Sequence, residues 1–441
     1  MSKAVQLFAV IWISLLLVIN TSGCVSEIAR PSETPLSVPT PEAERANVPD
    51  LSYVTVDTDQ DKCYNDSRGI TCPQLGKSFY GQDANYQGNL PSYKDNGDGT
   101  IADLNTGLIW QKNPDSKVTY VQAVTGSKHF NLAGYADWRL PTIKELYSLI
   151  LFSGTDPSGP ESDNRAVPFI DTNYFDFEYG DTNAGERIID AQYWSSTEYK
   201  STTMNGAATV FGVNFADGRI KGYPRDTGPR GQAMKQFVRY VRGNSGYGIN
   251  SFADNGDGTI TDTATGLMWS KSDSGEGMNW EDSLEWIQQK NKENYLGYND
   301  WRLPNAKELQ SIVDYTRAPD ITKSAAIAPV FNISSITNES GKTDYPFFWS
   351  STTHVSMGGN MQGRAAVYIA FGRAMGYMQM SPGTGQQSQS SGNYQYIDVH
   401  GAGAQRSDPK AGNPSDYPQG RGPQGDEIKI YNYVRCVRDN N

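Results

Sequence analysis

One set of motifs occurs twice in this chain, in the same order, and that repeat constrains the possible fold more than any other feature. Asp95-Asn96-Gly97-Asp98-Gly99-Thr100-Ile101 returns as Asp254-Asn255-Gly256-Asp257-Gly258-Thr259-Ile260. Thr106-Gly107-Leu108-Ile109-Trp110 returns as Thr265-Gly266-Leu267-Met268-Trp269, and Asp137-Trp138-Arg139-Leu140-Pro141 as Asp300-Trp301-Arg302-Leu303-Pro304. Lys144-Glu145-Leu146 matches Lys307-Glu308-Leu309, and Trp194-Ser195-Ser196-Thr197 matches Trp349-Ser350-Ser351-Thr352. Val238-Arg239-Tyr240-Val241-Arg242 closes the first set and Val434-Arg435-Cys436-Val437-Arg438 the second. The chain therefore carries two copies of one domain, residues 91–243 and 250–439.

Each block has a local physical meaning. Asn-Gly-Asp-Gly supplies residues that tolerate positive φ, so it turns a hairpin into a strand at 100–104. A second turn at Asn105-Thr106-Gly107 leads to a strand at 108–112 with Trp110 inward. The rival for this block is a calcium loop using Asp95, Asp98 and Asp103, but the twelfth-position Glu of an EF-hand is absent. Thr142 with Glu145, and Asn305 with Glu308, have capping-box spacing and open helices whose apolar stripes are Leu146/Leu149/Ile150 and Leu309/Ile312/Val313. Further helices are expected at 118–124 and 280–290. Trp-Ser-Ser-Thr reads as a strand edge. A nucleophilic serine would need a Gly-x-Ser-x-Gly elbow and a matched histidine, and neither copy has them. In the closing strands Arg239 and Arg242 point to opposite sides. Their partners are either the Asp of Asp-Trp-Arg or the helix Glu, and the sequence does not choose.

The N-terminus reads as a secretory leader. Lys3 precedes an apolar run at 5–19, about 15 residues, shorter than the roughly 20 a membrane-spanning helix needs. Ser22-Gly23-Cys24 resembles the lipobox of bacterial lipoproteins, with Thr21 where Leu is usual, so Cys24 is the expected lipidation site. Secretion without acylation and a retained membrane anchor are the alternatives. Residues 1–23 are then the leader and 24–50 a tether, with Pro31, Pro35, Pro39, Pro41 and Pro49 and little apolar surface to bury. Residues 51–90 form a small segment in which Cys63 and Cys72 close a disulfide in an oxidising compartment. Zinc is the alternative, but the chain has only His129, His354 and His400 to add, so no metal and no cofactor is expected. Cys436 is left as a buried strand residue. Abundant Tyr, Trp and Gly favour β-structure with many turns, and a net charge of −11 argues against nucleic acid as a partner.

The copies differ in two places. Copy two carries an insertion near 379–427, rich in Gly, Ser, Gln and Pro, expected as a long surface loop or disordered segment. Copy one carries a basic run, Arg219, Lys221, Arg225, Arg230, Lys235, Arg239 and Arg242, against Asp226 alone. Arg225 and Arg230 lie in its Gly/Pro-rich part and are the candidate residues for binding an anionic glycan. The competing reading makes the run a set of strand arginines that answer acidic loops.

Taken together, the repeated motifs resemble the DUF1566 family, also named for the C-terminal domain of the Legionella collagen-like adhesin, in two tandem copies covering about 340 residues. The resemblance implies an α+β fold: two tandem compact domains, each an antiparallel β core with one or two helices, similar to the C-type-lectin-like and formylglycine-generating-enzyme group. It also implies exported bacterial proteins, and the adhesin member implies binding to sulfated host glycans. No Gly-x-y collagen repeat precedes the domains here, so trimerisation through such a stalk is not expected. The expected function is an exported, lipid-anchored or secreted envelope binding module of adhesin-like type, with an anionic glycan or another envelope protein as partner, membrane attachment through the lipid, and no catalysis. The alternative is an enzyme of the formylglycine-generating type, or a hydrolase. Formylglycine-generating chemistry uses two nearby core cysteines, and the folded copies offer only Cys436.

Overall fold

The computed structural model describes residues 51–158, 166–228, 231–357, 362–379 and 394–440. The expectations for the leader, Cys24 and the tether fall outside these residues.

Each copy opens and closes on one four-stranded antiparallel sheet. In copy one its strands are Tyr93–Asp95, Thr100–Asp103, Leu108–Gln111 and Val241–Gly243; in copy two they are Phe252–Asp254, Thr259–Asp262, Leu267–Ser270 and Val437–Asp439. The register repeats. Ile101 faces Trp110, which faces Val241, and Ile260 faces Trp269, which faces Val437. The expected turns are present: Asp98 Oδ1 accepts the Thr100 amide, as Asp257 Oδ1 accepts that of Thr259. Gly99 and Gly258 both have positive φ, and a Cβ there would stand 3.3 Å from Leu132 and 2.8 Å from Leu296, so only glycine fits.

The Asp-Trp-Arg-Leu-Pro blocks lead into two six-residue helices, Ile143–Ser148 and Ala306–Ser311, both started by the expected capping boxes. The longer helices are Tyr120–Ser127 and Trp280–Lys292, each within a few residues of expectation. The tryptophans occupy matching depths. Trp110, Trp269, Trp194 and Trp349 are fully buried, and Trp138 and Trp301 nearly so. Their bonds also repeat: the Trp194 indole donates to the Val118 carbonyl and that of Trp349 to Met278, while Trp138 and Trp301 donate to Leu132 and Tyr295. Even an omission repeats, since the indole nitrogens of Trp110 and Trp269 are both buried without a partner among the described residues.

The arginine question left open by the sequence has a divided answer. Arg242 pairs with Asp137 and Arg438 with Asp300, each at 2.7 Å. The helix glutamates are taken by the neighbouring Arg139 and Arg302 instead. Arg239 and Arg435 pair with no carboxylate among the described residues. Arg239 donates to the carbonyls of Gln111, Lys112 and Asp176, and Arg435 to those of Ser270, Lys271 and Asn332.

The copies join through a six-stranded antiparallel sheet, in the order Phe347–His354, Ala365–Ala370, Gln405–Pro409, Arg219–Pro224, Ala207–Asn214, Gln192–Thr203. In copy one the strand beside Ala207–Asn214 follows directly in sequence. In copy two the corresponding stretch, Met375–Gln379, leaves the sheet and pairs with Tyr394–Asp398. Gln405–Pro409 takes the vacant place beside Ala365–Ala370 and meets copy one where Gln405 faces Ile220. The expectation of a loop or disorder across 379–427 is thus corrected for its described part, which contributes two strands. Low apolar content misleads here because several of the segment's polar groups find partners within the fold. Gln405 Oε1 accepts the Ile220 amide, Asp408 accepts the amides of Lys429 and Ile430, and Arg406 pairs with Asp426.

Beside the junction lies a buried charge cluster. Arg219 pairs with Asp156 at 2.7 Å and with Asp217 at 3.4 Å, while Lys221 pairs with Asp217 at 2.6 Å. His354 stacks on Phe169 and hydrogen-bonds the Asp217 carbonyl at 2.8 Å. Burial, reinforced by Arg219, holds its imidazole at about 4.

Two predictions follow from this packing. Arg239→Ala and Arg435→Ala should each cost about 3 kcal/mol in urea unfolding, because each strands buried carbonyls and removes a packed side chain. A loss below about 1 kcal/mol in either would contradict their shared role. For His354 the folded value lies below the unfolded imidazole's roughly 6.5, so the neutral ring stabilises the fold above that pH, and this stabilisation is lost as pH falls from about 6.5 towards 4. Between pH 7 and pH 5, His354→Gln should lose about 2 kcal/mol less stability than the natural chain. Equal losses would show that His354 does not titrate as the packing requires.

Candidate ligand groove

The residues singled out from the sequence are dispersed. Arg219 and Lys221 are spent in the charge cluster, Arg239 in the core and Arg242 on Asp137. Arg225 is 36 % exposed at the end of its strand, bonded to Asp226 at 3.1 Å with Glu198 3.9 Å away. Lys235 is exposed, and Arg230 lies outside the described residues. The described members of the basic run therefore do not form one face: Arg219, Lys221 and Arg242 answer carboxylates, as the structural reading expects, while Arg239 meets backbone carbonyls. The serines of the repeated Trp-Ser-Ser-Thr blocks are structural as well. Ser195 Oγ donates to the Phe211 carbonyl and Ser350 Oγ to that of Val367. The Asn-Gly-Asp-Gly carboxylates are engaged in their own turns, with Asp95 held by Lys112 and Asp254 by Lys271. Among the described residues, no three His, Cys, Asp or Glu side chains are grouped to hold a metal ion.

Cys63 and Cys72 do come together, as a disulfide with Cα atoms 5.0 Å apart. It closes a hairpin in which Cys63–Tyr64 pairs with Gly69–Ile70. Asn65 Oδ1 accepts the amides of Ser67 and Arg68 and shapes the turn. The hairpin is anchored to copy two. Lys410 Nζ donates to the Asn65 carbonyl and to Thr353 Oγ1, and lies 3.8 Å from the Trp280 ring centroid. Complete burial pushes that amine well below the usual lysine range. The amide of Gly363 donates to the Ser67 carbonyl, an approach so close that a Cβ would meet the Asn65 oxygen at 2.9 Å.

Just before the hairpin, Gln60 ties the segment to both copies. Its amide nitrogen donates to the carbonyls of Phe152 and Thr353, and its oxygen accepts the Thr353 amide at 2.8 Å. Between hairpin and copies these bonds leave a groove of about 450 Å³, within the usual range for small-ligand sites. Tyr64, Phe152 and Val355 give it buried apolar surface, with Ile70 half-buried beside them. Asp61, Lys62, Thr71, Ser153, Thr155 and Gln362 supply polar groups. Ser153 is bonded to Asp59. The side chains of Asp61, Lys62, Thr71 and Gln362 make no hydrogen bond or ion pair with another described residue, and this leaves both donors and acceptors available to a guest. Apart from the cysteines, none of these residues stood out in the sequence. They come from three distant segments and lie outside every repeated block, so composition and spacing carry no trace of their convergence.

Comparison with known families identifies the Lcl C-terminal domain twice, over residues 99–242 and 258–390, together more than half of the chain. The second match stops inside the insertion, whereas the fold shows copy two closing much later, at Val437–Asp439. No curated protein matches the chain, and no solved structure does.

Proposed function

The chain belongs to the family of Lcl C-terminal domains, and on that premise we propose that it is an exported, adhesin-like binding module of the cell envelope that acts without catalysis and takes a surface glycan into the groove beside the disulfide hairpin. The family supports a surface-module reading, and the observation that carries the site is the groove's rim of uncommitted polar side chains over an apolar floor. A pyranose ring has matching chemistry: its C–H faces pack on the half-buried Ile70 and the edge of Tyr64, while its hydroxyls exchange hydrogen bonds with Asp61, Lys62 and Gln362. The disulfide and the Lys410 anchor hold the wall in place before the ligand arrives, which lowers the ordering cost of binding.

A second site is supported by the exposure of Arg225, which with Arg230 offers guanidinium groups to an anionic glycan. An anion there must compete with Asp226 and Glu198, so affinity should be low and should fall further with salt. One glycan-array experiment separates the two readings. We expect Lys62→Ala/Gln362→Ala to lose at least about tenfold in affinity, roughly 1.4 kcal/mol, and Arg225→Ala/Arg230→Ala to bind like the natural chain. The reverse pattern would transfer the ligand to the arginines. Unchanged binding in both variants would remove the groove and the arginine site alike.

Attachment through Cys24 is part of the same proposal and rests on the lipobox-like Ser22-Gly23-Cys24. Metabolic labelling with a fatty-acid analogue should mark the natural chain and leave Cys24→Ser unmarked. An unlabelled natural chain, or a labelled variant, would contradict anchoring at this residue.

A further inference from the structure

Where copy one meets the start of copy two, three side chains stand in one line of hydrogen bonds. Lys144 Nζ donates to Asn250 Oδ1 at 2.7 Å, and Asn250 Nδ2 donates to Asp262 Oδ2 at 2.8 Å. We propose that Lys144 and Asn250 react with each other to form a side-chain amide bond, with Asp262 moving the proton, so that the two copies become covalently joined.

A lysine ammonium has only protons to give, so the amide turns its oxygen to Lys144 and its nitrogen to Asp262. That is the orientation a displacement at Cγ needs. The carbon lies one C=O bond, about 1.23 Å, behind the oxygen. Nζ is therefore within about 4 Å of it, against roughly 3–3.5 Å for a near-attack pair. Burial lowers the Lys144 amine to about 8, and Asp262 and Asp314 oppose this only in part. About a tenth of it is then uncharged at pH 7, far more than of an ordinary lysine, and so able to act as a nucleophile. Asp262 is fully buried and acts on the Lys144 charge ahead of Asp314. Its further bonds, from the Ser251 and Ala264 amides and the Thr265 hydroxyl, hold it against the Asn250 nitrogen. Tyr53 Oη accepts a second bond from that nitrogen at 3.2 Å.

The step exchanges one amide for another. Nζ adds to Cγ, Asp262 takes a proton from Nζ and returns it to Nδ2, and the Cγ–Nδ2 bond breaks to release ammonia. A lysine ammonium and a carboxamide thus give a secondary amide and an ammonium ion, and no oxidant or further reactant is needed. The one N–H left on Nζ can stay on the Ser311 carbonyl. The repeat supplies its own control. Lys307, the equivalent of Lys144, donates to the carbonyls of Asp57 and Ser148 and, among the described residues, to no side-chain amide. It should remain a free lysine.

Tryptic mapping of the folded natural chain by mass spectrometry is the test. The peptide carrying Lys144 should be joined to the peptide carrying Asn250, lighter than the two together by one ammonia, with Lys307 free. Asp262→Asn keeps both reacting groups and should slow the joining by about a hundredfold, followed in chain freshly made by cell-free synthesis, with circular dichroism to check its fold. Should that variant not fold, the natural chain alone decides. Separate peptides with Lys144 and Asn250 both intact would overturn the proposal. So would Asn250 converted to aspartate without a joined peptide, because water would then be the attacking group. A folded Asp262→Asn variant that joins at the natural rate would overturn the role of Asp262. The groove reading stands or falls separately, since none of these three residues lines it.

Discussion

A helix of six residues satisfies few of its own backbone groups, and each copy of the repeat depends on one. At the end of Ile143–Ser148 the Ser148 carbonyl is met by Lys307, and at the end of Ala306–Ser311 the Ser311 carbonyl is met by Lys144. Each lysine starts in the first turn of its own helix and reaches the last turn of the other. A cation placed on a helix C-terminus is favourable in its own right, and burial makes an unpaired carbonyl expensive. The exchange therefore ties the two helices into one unit, so neither copy is complete in itself. This explains why Lys belongs to the repeated Lys-Glu-Leu block, where the Glu and Leu serve the copy they sit in.

The remaining contacts across the seam extend the same dependence. Asp156 of copy one donates its amide to the Val355 carbonyl of copy two, and its carboxylate is pulled down to about 2 despite burial, chiefly by Arg219 and His354. The junction strand Gln405–Pro409 comes from the insertion, so the feature that makes copy two unlike copy one is also what joins the sheet. The segment ahead of the first copy adds a third tie through Gln60 and supplies one wall of the groove. Duplication, insertion and disulfide hairpin thus act together to build the surface that carries the groove.

Much of the scaffold was legible in the sequence because its causes are local. The Asn-Gly-Asp-Gly turns need positive φ, the Thr142/Glu145 and Asn305/Glu308 caps need fixed spacing, and the tryptophans recur at the same places in both copies. The Cys63–Cys72 bond was legible for the same reason. Long-range choices were not. Nothing in Val-Arg-x-Val-Arg says that one arginine meets carbonyls and the other an aspartate. The strand Gln405–Pro409 looks like a loop until its polar groups find partners across the sheet. The sequence left open whether the basic run shares a face, and strand geometry sends Arg219 and Arg239 inward. The groove left no signal, because Lys62, Phe152 and Gln362 are brought together only by the finished fold.

Scanning calorimetry of the natural chain tests the interdependence of the copies most directly. If the exchanged lysines and the shared sheet make residues 51–440 one cooperative unit, the two copies should melt in a single transition whose van't Hoff and calorimetric enthalpies agree. Lys144→Met or Lys307→Met should lower that one transition without splitting it. Two resolved transitions in the natural chain, each carrying about half of the enthalpy, would show that the copies fold independently and would contradict the account.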